Sequence, residues 1–247
     1  MIVVYCANRQ LYKQLPTALN SLIYNNKNIK KIYLLIEDDS IPTITHELVE
    51  FINVNQFDFI IRSSINCISQ FTYMAMVRCF LTKILKEDKV LYLDVDTVVD
   101  ADLSELWSTD TGGKCVAGRD ENDDVDISNR GVAHRYFNSG VLLMNLKYIR
   151  AVGLDDKVIT LLKCCKMVFT DQDAMNMVFK GQVVYLLRKF NVIGCDFVYD
   201  REESITIRHY AGYVKPWKFE AIAEDRVFWN KYKVDSIQRF EDIVNIK

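Results

Sequence analysis

Two rhythms of apolar residues alternate along the first hundred positions. Ile2–Cys6 is an unbroken apolar run stopped by Asn8, the pattern of a strand buried on both faces, and Leu11, Leu15, Leu19 and Leu22 then recur at helical spacing. The same alternation predicts a strand at Lys31–Glu37, a helix at Thr43–Ile52, a strand at Phe57–Arg62, a helix over Gln70–Leu85 and a strand at Val90–Leu93. Continuous apolar strands separated by helices predict a mostly parallel sheet covered on both faces. Ligands of such sheets bind at the carboxyl ends of the strands. Beyond residue 100 the rhythm loosens. The polar stretch Asp120–Arg130 predicts a mobile loop, with the segment up to Arg135 closing over a bound ligand. Strands are expected at Gly140–Leu146, Val183–Leu187 and Thr206–His209, helices near Val158–Cys165 and Asp173–Phe179, and surface helices at the C-terminus, about 218–247.

Composition narrows the class. With 247 residues, 50% hydrophobic and 26% charged, the chain suits one large α/β domain over 1–247. Nine Gly, three Pro and 12% aromatic residues exclude a low-complexity or disordered chain. A formal net charge of −2 excludes a dedicated nucleic-acid binder, which needs a basic surplus. Seven irregularly spaced cysteines, among them the vicinal pair Cys164-Cys165, read as reduced core thiols with no zinc pattern. The N-terminus MIVVYCANRQ lacks the features of a signal peptide, and no apolar run approaches about 18 residues. A cytoplasmic chain is expected, with a peripheral contact at the inner face of the membrane left open and oligomeric state undetermined.

The strongest local signal is VLYLDVDTVVD, in which an apolar strand runs into Asp94-Val95-Asp96. Side chains two apart on an extended segment share a face, and paired carboxylates are hard ligands suited to Mg²⁺ or Mn²⁺ bridging a diphosphate. The spacing itself is common: Asp100/Asp102, Asp124/Asp126 and Asp171/Asp173 repeat it, and without further context a solvated turn or helix cap is the favoured explanation of such a pair. The preceding strand singles out Asp94 and Asp96. A phosphohydrolase of the haloacid-dehalogenase type also uses D-x-D-x-T/V after a strand, with the first Asp as nucleophile, and Lys189 with Asp196/Asp200 are its candidate later signatures. That reading places several β-α units ahead of a strand that usually opens the fold.

Three further motifs follow: YFNSGVLLMNL at Tyr136–Leu146, TDQDAMN at Thr170–Asn176 and HYAGYVKPW at His209–Trp217. In this order behind the D-x-D they resemble glycosyltransferase family 8, which includes glycogenin and bacterial lipopolysaccharide galactosyltransferases. The resemblance extends from the first strand to about Trp217. It implies a single Rossmann-like nucleotide-sugar-binding domain of the glycosyltransferase A type, a divalent cation (Mn²⁺ or Mg²⁺), a UDP-sugar donor, a carbohydrate-bearing acceptor, and transfer of galactose or glucose with retention of configuration.

Carried over residue by residue, the resemblance assigns Asp94, Asp96 and His209 to the metal, with Asp94 and Val95 also near the nucleotide. Gly212 and Lys215 fall at positions that contact the diphosphate, Gly212 because backbone approaches closely and Lys215 as a point charge. Ala7, Asn8 and Tyr12 match the loop that holds uracil and ribose. Arg78 matches a basic position facing the donor, although a helix-surface salt bridge explains it as well. Asp120, Asn138, Asp171 and Gln172 match positions that hydrogen-bond sugar hydroxyls, with Asn138 and Gly140 readable as a turn and Asp171 as a helix N-cap. Asp171 and Gln172 are the candidate catalytic pair. Gln172 lies nearest the anomeric carbon, and since a neutral amide is a poor nucleophile, same-face attack is the expected route. A non-catalytic nucleotide-sugar-binding protein would need a broken metal site, whereas all three expected ligands are present.

Overall fold

The computed structural model describes residues 1–40, 44, 46–67, 72–121, 135–193, 204–218, 221 and 223–233. Ten strands are described: β1 (Ile2–Ala7), β2 (Lys31–Ile36), β3 (Val49–Asn53), β4 (Val90–Leu93), β5 (Thr97–Val99), β6 (Val116–Asp120), β7 (Phe137–Met144), β8 (Val183–Tyr185), β9 (Val192–Ile193) and β10 (Ile207–His209). Seven form one sheet in the order β3-β2-β1-β4-β7-β6-β8. β3, β2, β1 and β4 run parallel, as do β6 and β8, while β7 is antiparallel to both β4 and β6. This is a single α/β domain built on a large, mostly parallel sheet.

The unbroken apolar strands have a direct cause. Alternate residues of β1 enter two different cores: Val3 and Tyr5 pack with Leu15, Leu19 and Leu22 of α1 (Leu15–Asn25), whereas Val4 and Cys6 pack with Phe80 and Met175 on the opposite face. Each fully buried Leu of α1 contributes about 1.5–3 kcal/mol.

The predicted helix at Thr43–Ile52 and strand at Phe57–Arg62 are both corrected. The third strand is β3, pairing Ile32 with Val49 and Leu34 with Phe51, and its β-branched and aromatic residues suit a pleated edge. Phe57–Arg62 cannot extend because Arg62 donates to the carbonyls of Asn55 and Phe57 at 2.9 and 3.0 Å, folding the segment into a loop. The helix expected over Gln70–Leu85 is broken. Residues 70 and 71 lie outside the described residues, and α2 (Tyr73–Met76) and α3 (Leu81–Ile84) are separated by a 3-10 turn, Val77–Phe80, that buries Arg78.

The second half continues through α4 (Ser104–Ser108), α5 (Leu146–Val152), α6 (Leu154–Cys164) and α7 (Thr170–Val178). Gly153, at φ 64°, stops α5 and starts α6, a backbone conformation that glycine adopts without steric cost. A small sheet, β5-β10-β9, sits beside the main one. Against it docks α8 (Ala223–Lys231): its Trp229, and Tyr232 just beyond its end, are buried with Val98 and Tyr210. Val227, Asn230 and Lys231 are exposed, so α8 lies on the surface with these two aromatic residues as its anchor; 234–247 lie outside the described residues.

Among the described residues Cys6, Cys79 and Cys115 are buried free thiols, but Cys164 and Cys165 are exposed and Cys67 is half-buried, so a core role fits only the first three. No helix among the described residues is long and apolar enough to cross a membrane. The polar stretch predicted as a mobile loop falls, from 122 to 134, outside the described residues.

Candidate active site

The D-x-D segment is a turn rather than the extended pair expected. After Leu93 the Thr97 N–H and hydroxyl both donate to the Asp94 carbonyl, at 3.2 and 2.7 Å, so the chain folds back from β4 into β5. The Asp94 N–H donates to the Gly140 carbonyl at 2.8 Å, and the Tyr210 N–H to the Asp96 carbonyl at 2.9 Å. Pairing of β10 with β5 sets His209 opposite Thr97. Three segments distant in sequence thus converge at the carboxyl end of β4.

The His209 Nε2 lies 3.8 Å from Asp94 Oδ2 and 3.5 Å from Asp96 Oδ1. One atom from each of the three residues falls within 4.8 Å of the others. Asn191, fully buried, places its Oδ1 2.9 Å from His209 Nδ1. With the proton on Nδ1 donated to Asn191, the Nε2 lone pair faces the two carboxylates, the arrangement of an imidazole prepared to bind a cation. Gly140 makes room for it: a Cβ at this position would lie 2.1 Å from His209 Cε1 and 2.9 Å from Asp94 Oδ2. The donor set of two carboxylates and one imidazole fits Mn²⁺ or Mg²⁺.

Both carboxylates also have protein partners, and Asp94 Oδ2 itself accepts from Arg78 Nη1 at 3.3 Å. Asp94 Oδ1 accepts from the Tyr92 hydroxyl at 2.6 Å and pairs with Arg78 at 2.9 Å. Asp96 Oδ2 accepts from Lys215 Nζ at 2.5 Å, and the same ammonium donates to the Tyr210 carbonyl at 2.8 Å. Burial pushes the Asp96 carboxyl up, but Lys215 and His209 outweigh it and hold it below the ordinary carboxylate range.

Arg78 joins this cluster to a second. It is buried, stacked 4.5 Å over the Tyr92 ring, and paired with Asp171 at 3.1 Å as well as with Asp94. It is therefore neither a helix-surface ion pair nor an open guanidinium. Asp171 is not an N-cap: α7 starts one residue earlier, the N-cap position is Phe169, and Asp173 from inside the helix reaches back to accept the N–H groups of Val168 and Phe169. Asp171 itself accepts from Thr170 Oγ1 at 2.8 Å and Ser139 Oγ at 3.1 Å, and burial raises its carboxyl despite Arg78. Thr170 has φ 26°, an uncommon value for a β-branched residue that marks local strain beside Asp171.

Gln172 Oε1 accepts from the Ser139 N–H at 2.8 Å, and its Nε2 donates to Glu121 Oε2 at 3.1 Å. Asn138 Nδ2 donates to Glu121 Oε1 at 2.6 Å, while Asn138 Oδ1 accepts from Gly140 N and Asn191 Nδ2. Asp120 pairs with Arg135 at 2.6 Å at the end of β6. Ala7 and Val95 are buried, and Asn8 caps the 3-10 turn Arg9–Leu11 while its Nδ2 reaches Thr72. The Tyr12 ring belongs to the core beside α1, and its hydroxyl donates to the Asp38 carbonyl at 3.1 Å. Gly212 has open space around it and adopts φ 102°, a conformation that favours glycine.

Sequence reasoning missed Tyr92, Glu121, Ser139 and Asn191. Ser139 and Glu121 each adjoin a candidate residue, but Asn191 carries no signal in KFNVIG. The candidate phosphohydrolase lysine, Lys189, pairs with Glu105 at 2.7 Å, and Asp196 and Asp200 lie outside the described residues.

The model of the family described as "Glycosyl transferase family 8" matches residues 2–221. Glycosyltransferase GlyE of Streptococcus pneumoniae is 29% identical over 94% of this chain, and the match spans 60% of that protein. Its crystal structure superposes with a TM-score of 0.71 at 28% identity, covering 99% of this chain and 62% of that one. Lipopolysaccharide 1,2-glucosyltransferase of Escherichia coli is 25% identical over 99% of this chain and 82% of its own length. The galactosyltransferase LgtC, solved with donor and acceptor sugar analogues, shares the fold at a TM-score of 0.77 and 24% identity, covering 94% of this chain and 95% of that one. The chain spans less than two thirds of the length of the streptococcal relatives that match it first.

Proposed function

Because the chain belongs to glycosyltransferase family 8, we propose that it transfers galactose or glucose from a UDP-sugar to a carbohydrate-bearing acceptor with retention of configuration. The observation that carries this reading is the convergence of Asp94, Asp96 and His209, with Nε2 turned inward by Asn191. The phosphohydrolase alternative is not favoured, since its lysine is engaged elsewhere. An intact ligand set likewise favours an enzyme over a nucleotide-sugar sensor.

Asp94, Asp96 and His209 would hold Mn²⁺ or Mg²⁺, which supplies positive charge against the departing diphosphate. Lys215, half-buried beside Asp96, is placed to add a second positive charge there. Ala7, Asn8 and Tyr12 would receive uracil and ribose, with Val95 beside the nucleotide and Gly212 at the diphosphate. Asn138, Asp120, Asp171 and Gln172 would surround the hexose. In the transfer, the bond from the anomeric carbon to the phosphate oxygen breaks and a bond to the acceptor hydroxyl oxygen forms on the same face. The acceptor proton passes to the departing phosphate oxygen. Gln172 offers its amide dipole to the positive charge on the sugar.

The donor and acceptor classes draw support from the LgtC complex with sugar analogues. A galactosyltransferase and a glucosyltransferase both stand among the relatives, so both donors belong in the test. Exposed thiols at Cys164 and Cys165 suit a reducing compartment, and we assign the reaction to the cytoplasm. Purified protein with Mn²⁺ and a panel of UDP-sugars is expected to release UDP from UDP-galactose or UDP-glucose, and excess chelator to abolish it. Full activity in chelator would defeat the metal-dependent reading, and hydrolysis of a generic phosphomonoester lost in Asp94→Asn would restore the phosphohydrolase.

A further inference from the structure

Glu121 is the first residue after β6 and belongs to none of the four motifs. It is buried, and its N–H donates to the Tyr136 carbonyl at 2.7 Å where the pairing of β6 with β7 shifts register. Its two oxygens accept from two different amides, Asn138 Nδ2 at 2.6 Å and Gln172 Nε2 at 3.1 Å. The orientation of those amides is fixed independently. The Gly140 N–H donates to Asn138 Oδ1 at 2.9 Å and the Ser139 N–H to Gln172 Oε1 at 2.8 Å, and a main-chain N–H can only donate. Both amides must therefore turn their NH₂ groups toward residue 121. An ionised carboxylate is the side chain that accepts from both while offering no donor of its own.

We propose that Glu121 is a positioning residue for the donor sugar, clamping Asn138 and Gln172 side by side. This inference rests on the UDP-sugar reading of the site. Glu121 takes one hydrogen of each amide, and the Tyr136 hydroxyl is hydrogen-bonded by the Gln172 side chain as well, so the two amides are held at a fixed separation for sugar oxygens. The carboxylate also polarises Gln172, strengthening the amide oxygen at its other end. The metal cluster does not depend on this clamp, because Asn138 Oδ1 is held by Gly140 N as well as by Asn191. A defect at Glu121 should therefore reach the sugar and spare the nucleotide.

Glu121→Gln provides the test, since it keeps the shape but sets an NH₂ group against one of the two amides. Donor hydrolysis is expected to fall about tenfold or more, the worth of one hydrogen bond to a charged group, while UDP affinity in Mn²⁺ stays within about twofold. With ¹⁵N-labelled side-chain amides, the Gln172 NH₂ signals should exchange slowly with water in the wild type and quickly in the variant. The double variant Glu121→Gln/Asn138→Asp restores an acceptor facing the new NH₂ group, and slow exchange at Gln172 should return. Wild-type turnover together with unchanged Gln172 signals in Glu121→Gln would overturn the proposal, as would a loss of UDP affinity equal to the loss of turnover. If the wild-type protein binds no UDP and hydrolyses no donor, the donor reading fails, and the amide spectra still decide whether Glu121 clamps the pair. Should Glu121→Gln fail to fold, Glu121→Asp, which keeps the charge with a shorter reach, is read in the same way.

Discussion

The two sides of the site solve opposite problems. On the metal side Asp94 and Asp96 face one lysine and a shared arginine, and Asn191 fixes the His209 ring through Nδ1, so two carboxylates and an imidazole converge where a cation would enter. On the sugar side the donors and acceptors are matched: Asn138 and Gln172 are tied at both ends by Glu121 and by main-chain N–H groups. One side is unbalanced until something binds, and the other is rigid beforehand. A pocket that must balance charge and also recognise hydroxyl geometry needs both.

Arg78 is where the sides meet, and its removal should have the largest effect. Arg78→Met leaves Asp94 and Asp171 without their common partner in a buried setting, which is expected to destabilise the fold by about 3–5 kcal/mol. Denaturant unfolding measures it. A loss below about 1 kcal/mol would show that water reaches these carboxylates and that the two sides are not joined through the guanidinium.

Asp96→Asn and Gln172→Ala should then separate the sides. The first removes a charged ligand and is expected to cost at least about 3 kcal/mol of transition-state stabilisation, roughly a hundredfold in turnover, with weaker Mn²⁺ binding. The second is expected to lower turnover about 10- to 100-fold while UDP and Mn²⁺ affinities hold, because its partner is the sugar. Isothermal titration with steady-state kinetics reads both. Loss of UDP binding in Gln172→Ala would place Gln172 on the nucleotide side.

The two sides also differ in how far the sequence announces them. The metal ligands lie in short motifs with a strand ahead of them, so Asp94, Asp96 and His209 could be assigned from pattern and resemblance. The turn that draws the carboxylates together could not, because it depends on Thr97 and Gly140 hydrogen bonds across strands. Glu121 and Asn191 were illegible for the same reason: their roles are set by partners 17 to 53 positions away, and neither residue type is unusual where it stands. In the fold, strands buried on both faces were legible as unbroken apolar runs. The edge strand β3 was not, since HELVEFIN has apolar residues at spacings compatible with either element and only pairing with β2 decides.

Gly140→Ala tests whether close packing, and not only charge, defines the metal side. The added methyl would sit 2.1 Å from His209 Cε1, so the imidazole must move. Mn²⁺ affinity is expected to fall about 10- to 100-fold, the usual cost of misdirecting a metal-binding histidine, with a stability loss of about 1–3 kcal/mol from overpacking. Unchanged Mn²⁺ affinity would remove His209 from the ligand set.

The smallest expected effect, and the sharpest in sign, belongs to Lys215. Its ammonium occupies Asp96 Oδ2 at 2.5 Å and is anchored by the Tyr210 carbonyl at 2.8 Å, so it competes with a cation for Asp96. Once a diphosphate is present, the same ammonium has a better anionic partner. Lys215→Met should therefore leave Mn²⁺ affinity without nucleotide equal to wild type or slightly higher, since a positive charge beside the ligands has gone. UDP affinity in the presence of Mn²⁺ should fall by roughly tenfold, about 1.4 kcal/mol, and should lose part of its dependence on salt, because a half-exposed ammonium acting on phosphate is screened by added ions. Titrations with and without UDP at two salt concentrations separate these outcomes. If both affinities fall together, Lys215 serves to hold Asp96 in place, and the negative charge of the metal side is already balanced before any ligand arrives.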